Sequence, residues 1–414
     1  MRIFVWHGYL LGGTGSNIYA RQLSREWSQE GHDVVVFSQE LHPERFDLGG
    51  VETVRPDVGG FLPVFVIDEY EGYEVKRIQD SSRAELDAWV EANAAAMRER
   101  LPADFVFVNH VLMGGPVGQA VGARYLVAAH GSELEYSMRG NAELSAWGRE
   151  VLSGAAATIV GSQHIRGVVA EVCGQTERVH EVPPGVDVEL WQPGSKENAL
   201  AALLAEARKD PPNPGNADER LPDEGNAERL SSFLAGDRAT VVYFGKLIEN
   251  KGVQVLFEAL RGVDARAVIV GFGDYRAELE RLAGDLDVLF TGPLEHRHLV
   301  HLLALADAAP VPSIFPEAFG MVAAEAAAAG CPPIVANHSG LAEIARGLEG
   351  HYPPELRGLP SFPNGDSKEL RARLEQQLGL DPAERDALRA AAREAAVELW
   401  SWTSVAHRVL EAAG

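Results

Sequence analysis

The sequence predicts an α/β chain of two Rossmann-like domains facing a central cleft, and three observations predict it. At 414 residues the chain is longer than one hydrophobic core ordinarily organises. Residues 2–6 form an apolar strand, 7–15 a glycine-rich loop, 16–29 a stretch of helical period and 33–38 a second apolar strand, which is the opening of a βαβ unit. After a polar interval the same alternation begins again at Thr240, so a second unit of the same class follows the first.

The remaining elements follow in order. Strands are predicted at 105–109, 124–129, 157–161 and 178–182, with helices near 82–100, 142–152 and 165–172. Pro183, Pro184 and Gly185 break the pattern and predict a hinge across 183–187, so the N-terminal domain is bounded at 1–187. Residues 188–239 are expected to be a linker with a surface insertion, because within 195–236 a short alanine and leucine helix is followed by a polar stretch rich in proline, glycine and asparagine. The C-terminal domain is placed at 240–390, with strands at 240–245, 267–271, 288–291, 309–311 and 333–336. Residues 391–414 are expected to form a kinked terminal helix that returns to the N-terminal domain, with Trp400 and Trp402 on it.

Composition narrows the function classes. Hydrophobic residues at 46% and charged residues at 23% are the balance of a folded globular chain. A formal charge of -23 disfavours nucleic acid and anionic membrane surfaces as partners, so any anionic ligand must be held by local geometry. Cys173 and Cys331 stand in no metal or redox spacing and are expected to be buried thiols. The N-terminus carries no secretory signal and no apolar run reaches membrane-spanning length, which predicts a cytoplasmic protein.

Gly12, Gly13 and Gly15 lie between the first strand and the first helix, where unobstructed backbone N–H groups approach phosphate or sugar oxygens. Ile18 stands where a dinucleotide fingerprint has its third glycine, which weighs against a dehydrogenase. Gly271 and Gly273 form a second glycine turn after a strand, suited either to a wall against a nucleotide base or to a tight turn alone. Lys246 and Lys251 follow the first strand of the second series and suit a diphosphate.

The most informative segment runs from Pro312 to Glu325, where a strand-end loop feeds a small-residue helix. Glu317 precedes the helix and Glu325 lies about two turns in, so both carboxylates and the free N–H groups of the first turn can line one pocket. Carboxylates suit sugar and ribose hydroxyls. Asp285 and Asp287 have a metal-like spacing but sit at the amino edge of a strand, and no metal is expected there. His130 and His110 each follow a strand end, with Tyr9 and Glu133 as further groups of the N-terminal domain.

With the GGTG loop, Ala129-His130-Gly131-Ser132-Glu133, the lysine pair and the Glu317 to Glu325 segment, the chain resembles the family 4 retaining glycosyltransferases of the GT-B fold. The resemblance implies that the glycine loop contacts donor phosphate or sugar and that His130 lies near the reacting carbon. It implies that Lys246 and Lys251 hold the diphosphate, that Glu317 holds the donor sugar with the backbone of Phe319, Gly320 and Met321, and that Glu325 binds ribose hydroxyls. Two departures stand out: Lys246 replaces a common arginine, and Ser339-Gly340 replaces the usual glycine pair. The expected reaction moves a hexose, from a UDP-sugar first and GDP-mannose next, to a hydroxyl on a small soluble acceptor with retention and no cofactor. Tyr9, His110 and Glu133 are the acceptor-side residues. A nucleotide-sugar epimerase of the same fold and a non-catalytic sugar-nucleotide-binding protein remain alternatives.

Overall fold

A computed structural model describes residues 1–66 and 70–414, and the chain divides into two units. The N-terminal unit comprises Met1–Gly185 and Trp402–Gly414, and the C-terminal unit Val186–Ser401.

The N-terminal unit is built on a parallel sheet. Its strands are β1 (Arg2–Trp6), β2 (Asp33–Phe37), β3 (Glu52–Val54), β6 (Phe105–Asn109), β7 (Tyr125–Ala129), β8 (Ala157–Val160) and β9 (Val179–Glu181), in the order β3-β2-β1-β6-β7-β8-β9. The intervening β4 (Phe61–Val64) and β5 (Glu74–Arg77) form a separate parallel pair that the alternation did not reveal. The central strands are buried along their whole length, which is why they read as continuous apolar runs rather than alternating ones. The helix Gly15–Gln29 starts at Thr14, whose hydroxyl accepts from the Asn17 N–H.

The C-terminal unit has β10 (Thr240–Phe244), β11 (Arg266–Val270) and β12 (Val288–Phe290) in one half and β13 (Ala309–Val311), β14 (Pro333–Ala336) and β15 (Ser361–Phe362) in the other. A bridge between Val241 and Ala308 joins the halves through β10. Strand order therefore reverses beside β10, and the loops after β10 and β13 flank that switch point, where parallel sheets bind ligands.

Two expected boundaries differ. The interval 188–239 is more than a surface insertion: the expected alanine- and leucine-rich helix is Lys196–Ala207, a second helix, Asn226–Phe233, follows the mostly exposed polar stretch, and Leu203, Leu204, Leu230 and Leu234 are buried in the core of the C-terminal unit. Its polar loop is tied down as well, since the Asp223 N–H donates to the Thr291 carbonyl at 2.8 Å and Arg276 forks onto the Asp223 carboxylate at 2.8 and 2.6 Å. The terminal helix is also two helices, Pro382–Trp400 and Trp402–Ala413, broken at Ser401 where the backbone turns extended. Only the second belongs to the N-terminal unit, where Trp402 packs on Tyr19 with ring centroids 5.7 Å apart, while Trp400 packs on Phe319 in the C-terminal unit.

Candidate functional site

In the C-terminal unit the predicted donor residues gather on the loops at the carboxyl ends of β10, β11 and β13. The turns that carry them need glycine. A Cβ on Gly252, at φ +71°, would lie 1.9 Å from the Pro312 carbonyl oxygen, and one on Gly271 would lie 1.8 Å from that of Gly245. These close approaches lock the loop after β10 against those after β11 and β13. The Leu247 N–H donates to the Phe272 carbonyl at 2.8 Å, and the Ile314 N–H to that of Asn250 at 3.0 Å. Gly271 and Gly273 thus shape the turn by backbone contact.

Lys251 is brought onto Glu317, its ammonium donating to Oε1. Both side chains keep partial exposure, at 31% and 21%, so the pair is open to a ligand. The Ser313 hydroxyl donates to the same carboxylate oxygen at 2.8 Å. Lys246 is exposed at the end of the β10 loop, whose form is held by the Tyr243 hydroxyl donating to the Lys246 carbonyl at 2.9 Å. Burial, and then the charge of Glu317, pushes the Tyr243 phenol well above its usual range, so it stays a neutral donor.

Glu317 leads into the helix Met321–Ala328, with Gly320 at its N-cap in the left-handed region. No residue among those described caps this helix with a side chain, so its first N–H groups point outward as donors for an anion or hydroxyls. Phe319 is buried, with its ring packed on Trp400. Glu325 sits one turn into the helix rather than two, because the helix starts only at Met321, and burial among the alanines raises its carboxyl to about 8. A proton held there at neutral pH lets the group donate as well as accept a hydrogen bond.

Sequence reasoning missed three polar partners of this loop. The Glu317 N–H donates to Ser339 Oγ at 2.9 Å, Ser339 Oγ is 3.1 Å from His338 Nδ1, and His338 Nε2 is 2.7 Å from the Ser313 carbonyl. The one signal for this arrangement was the serine standing in place of a glycine at 339.

In the N-terminal unit, Tyr9, His110, His130 and Glu133 come together at the carboxyl ends of β1, β6 and β7, joined by His7. The His110 and His130 rings are 5.0 Å apart, and those of Tyr9 and His110 5.9 Å apart. Glu133 is fully buried. Its Oε2 accepts from His110 Nδ1 at 3.2 Å, and its Oε1 accepts from the N–H groups of Val111 and His130, each at 3.2 Å. Burial alone would raise this carboxyl, but the facing His110 and these donors bring it down to about 2. Burial, reinforced by His110, lowers His7 and His130 to about 3 each, so both rings are neutral at ordinary pH. His130 Nε2 pairs with Asn109 Oδ1 at 2.7 Å, which leaves Nδ1 as an acceptor.

Two of the expected acceptor-side residues are committed internally. The Tyr9 hydroxyl donates to the Pro63 carbonyl at 2.9 Å, and the Glu133 carboxylate is taken up by its donors, so Glu133 holds His110 rather than facing a ligand itself. The Gly12 to Gly15 loop stands clear of this cluster's interior, with Gly13 and Gly15 exposed. Asn17 ties the loop down: its Oδ1 is 2.6 Å from His7 Nε2, and its amide donates to the Gly12 carbonyl.

Asp285 and Asp287 are engaged with Arg261 and Arg238. Among the described residues no group of three or more His, Cys, Asp and Glu stands together as a metal site would. Cys173 and Cys331 are buried free thiols, each raised to about 12 by burial. Among the described residues no helix is long and apolar enough to cross a membrane.

Residues 13–190 match Glycosyltransferase Family 4, and residues 226–395 match Glycosyl transferases group 1, so the two matches between them take in most of the chain. A GDP-mannose-dependent alpha-(1-6)-phosphatidylinositol monomannoside mannosyltransferase of Mycolicibacterium smegmatis is 27% identical over 72% of each chain. The D-inositol 3-phosphate glycosyltransferase 1 of Catenulispora acidiphila is 24% identical over 96% of this chain and 89% of its own. Among solved structures, Anabaena Alr3699/HepE in complex with UDP superposes with a TM-score of 0.68 at 18% identity over 99% of both chains. Sucrose-phosphate synthase from Thermosynechococcus elongatus gives 0.60 at 22% identity, covering 99% of this chain and 97% of its own. With the domain matches, these relatives and the paired Rossmann-like units agreeing, the chain belongs to the family 4 glycosyltransferases of the GT-B fold, which transfer a sugar from a nucleotide-sugar donor.

Proposed function

We propose that this glycosyltransferase moves a hexose from a nucleoside diphosphate sugar to a hydroxyl of a small hydroxylated acceptor, with retention at the anomeric carbon and without a metal ion. The observation that carries the reading is the Lys251–Glu317 pair beside the uncapped helix Met321–Ala328. Glu317 accepts from donor-sugar hydroxyls, with the backbone N–H groups of Phe319, Gly320 and Met321 around it. Lys251 has three N–H donors and gives one to Glu317, which leaves the others for diphosphate oxygens alongside Lys246. As the bond from the anomeric carbon to the phosphate oxygen breaks, the acceptor oxygen bonds to that carbon on the same face and its proton passes to the departing phosphate. The two ammonium groups and the helix amides stabilise the charge that grows on the phosphate. His130, neutral and with Nδ1 free to accept, offers a hydrogen bond to a sugar hydroxyl.

GDP-mannose is the donor to try first. Relatives named as GDP-mannose-dependent, among them those from Mycolicibacterium smegmatis and Corynebacterium glutamicum, support it over the UDP-sugar that the sequence alone favoured. UDP in a neighbour at 18% identity speaks only to the fold. Relatives named for inositol phosphate and for phosphatidylinositol mannoside support a polyol-type acceptor, and the acid charge of the chain favours the soluble kind, used in the cytoplasm. Calorimetric titration with GDP-mannose, GDP, UDP-glucose and UDP under a chelator tests donor and metal independence together, and the anomeric configuration of the product is read by NMR. Tight binding of one donor with transfer of its sugar and retention supports the proposal. An inverted product, dependence on a divalent ion, conversion of the donor with no acceptor present, or binding without turnover would each overturn a stated part of it.

A further inference from the structure

Ser339 occupies a backbone conformation that serine rarely adopts, with φ +49°. It stands at the first position of the helix Ser339–His351, where the family resemblance leads one to expect glycine, which adopts this conformation freely. A strained non-glycine residue beside a ligand loop persists when its side chain has work that offsets the strain. The work is visible in the hydrogen bonds. The Ser339 hydroxyl accepts from the Glu317 N–H at 2.9 Å and donates to His338 Nδ1 at 3.1 Å. His338 Nε2–H donates to the Ser313 carbonyl at 2.7 Å, and the Ser313 hydroxyl donates to Glu317 Oε1 at 2.8 Å. Each bond has one donor and one acceptor in a consistent direction, so the four residues form a closed ring that holds Glu317 at its backbone and at its carboxylate together. Gly340 closes the same contact from the other side: its N–H donates to the Glu317 carbonyl at 3.0 Å, and a Cβ there would lie 2.5 Å from Phe319 Cα.

We infer that Ser339 and His338 are positioning residues for the donor sugar, acting through Glu317. The inference rests on the proposed role of Glu317 as the group that holds that sugar. Because the proposed diphosphate contacts come from Lys246 and Lys251 rather than from the ring itself, losing the ring should weigh on the sugar far more than on the diphosphate.

Ser339→Gly separates this role from a merely structural one, since it removes the hydroxyl while relieving the backbone strain. The measurements are melting temperature, affinity for GDP and GDP-mannose (with UDP and UDP-glucose in parallel), and turnover. The melting temperature should hold or rise, and affinity for the nucleoside diphosphate should stay within about twofold. Affinity for the sugar nucleotide and kcat/KM should each fall by about tenfold, the worth of one hydrogen bond to a charged or buried group. His338→Ala, which takes away the partner of the Ser339 hydroxyl, should move the same two quantities in the same direction by less. Unchanged sugar-nucleotide affinity and turnover in Ser339→Gly, with a wild type that binds and transfers normally, would overturn the inference alone. A wild type that binds no sugar nucleotide more tightly than the nucleoside diphosphate would overturn the reading of Glu317, and the inference with it.

Discussion

In the N-terminal unit His7, His110, His130 and Glu133 pack among Tyr9 and Phe65, with His110 bonded to Glu133 and the other two rings held by Asn17 and Asn109. In the C-terminal unit Lys246, Lys251 and Glu317 stand on turns that glycines hold in shape, with part of their surface open. The first arrangement stabilises a buried charge by local pairing, so its side chains serve the fold as much as a ligand. The second leaves the fold to the backbone and keeps the charges for something that binds. Substitutions in the two places should therefore separate, with stability read most strongly in the first and turnover in the second.

The largest effect is expected from Glu133→Ala. It leaves His110 and two backbone N–H groups without their buried acceptor, a loss on the order of 3–5 kcal/mol. Chemical denaturation checks it, and Glu133→Gln, which keeps an acceptor oxygen, should lose less. A Glu133→Ala protein of wild-type stability would mean that the cluster is not held together by this carboxylate.

Lys251→Ala should show the opposite profile. Removing one preorganised charge from a leaving group slows turnover by about 10²–10³-fold, while the side chain is too exposed for its loss to matter much to folding. Steady-state kinetics beside a thermal melt read both. A fall in melting temperature matching that of Glu133→Ala would erase the distinction between the two units.

Gly252→Ala ranks third and mixes the two profiles. An alanine at φ +71° costs about 1–3 kcal/mol from the backbone alone, and the clash with the Pro312 carbonyl pushes the loop carrying Lys251 away from the one carrying Glu317. Stability and activity should fall together, as denaturation and kinetics on one preparation would record.

How much of this was legible beforehand depended on whether the residues are neighbours in the chain. Glu317, Phe319, Gly320, Met321 and Glu325 lie on one loop and helix, so their spacing carries their geometry. His110 and His130 are brought together by the parallel pairing of β6 with β7, which sets Asn109 opposite Ala128; two strand-end histidines hint at that but do not reveal that Glu133 is sealed beneath them. Ser339 reaches Glu317 across 22 positions, and only its departure from glycine pointed to it. In the interval 188–239 the alanine- and leucine-rich helix was legible, but the polar residues beyond it hid the second helix, Asn226–Phe233, and the leucines that bury it. A kink in the terminal helix was expected, but its place at Ser401 was hidden, since the flanking residues on both sides favour helix and composition gives no sign of a stop.

The smallest effect, and the one that tests the comparison without touching a ligand, is the pH dependence of stability. His7 and His130 have folded values near 3 against 6.5 for an unfolded histidine, so below about 6.5 the unfolded chain binds more protons and stability falls until about pH 3. Glu133, held near 2 against 4.5, adds to the loss on the same acid side. Glu325 works the other way: raised to about 8 from 4.5, it keeps its proton in the folded chain, so its contribution falls as pH rises from about 4.5 to about 8. Glu325→Gln should thus gain on the wild type steadily across that interval and be level with it at the acid end, while His7→Asn should gain on it only below about pH 6.5. Denaturation at a series of pH values gives both differences. If Glu325→Gln instead lost ground as pH rose, the carboxylate would be stabilised in its charged form, and the helix N-terminus rather than burial would govern the C-terminal site.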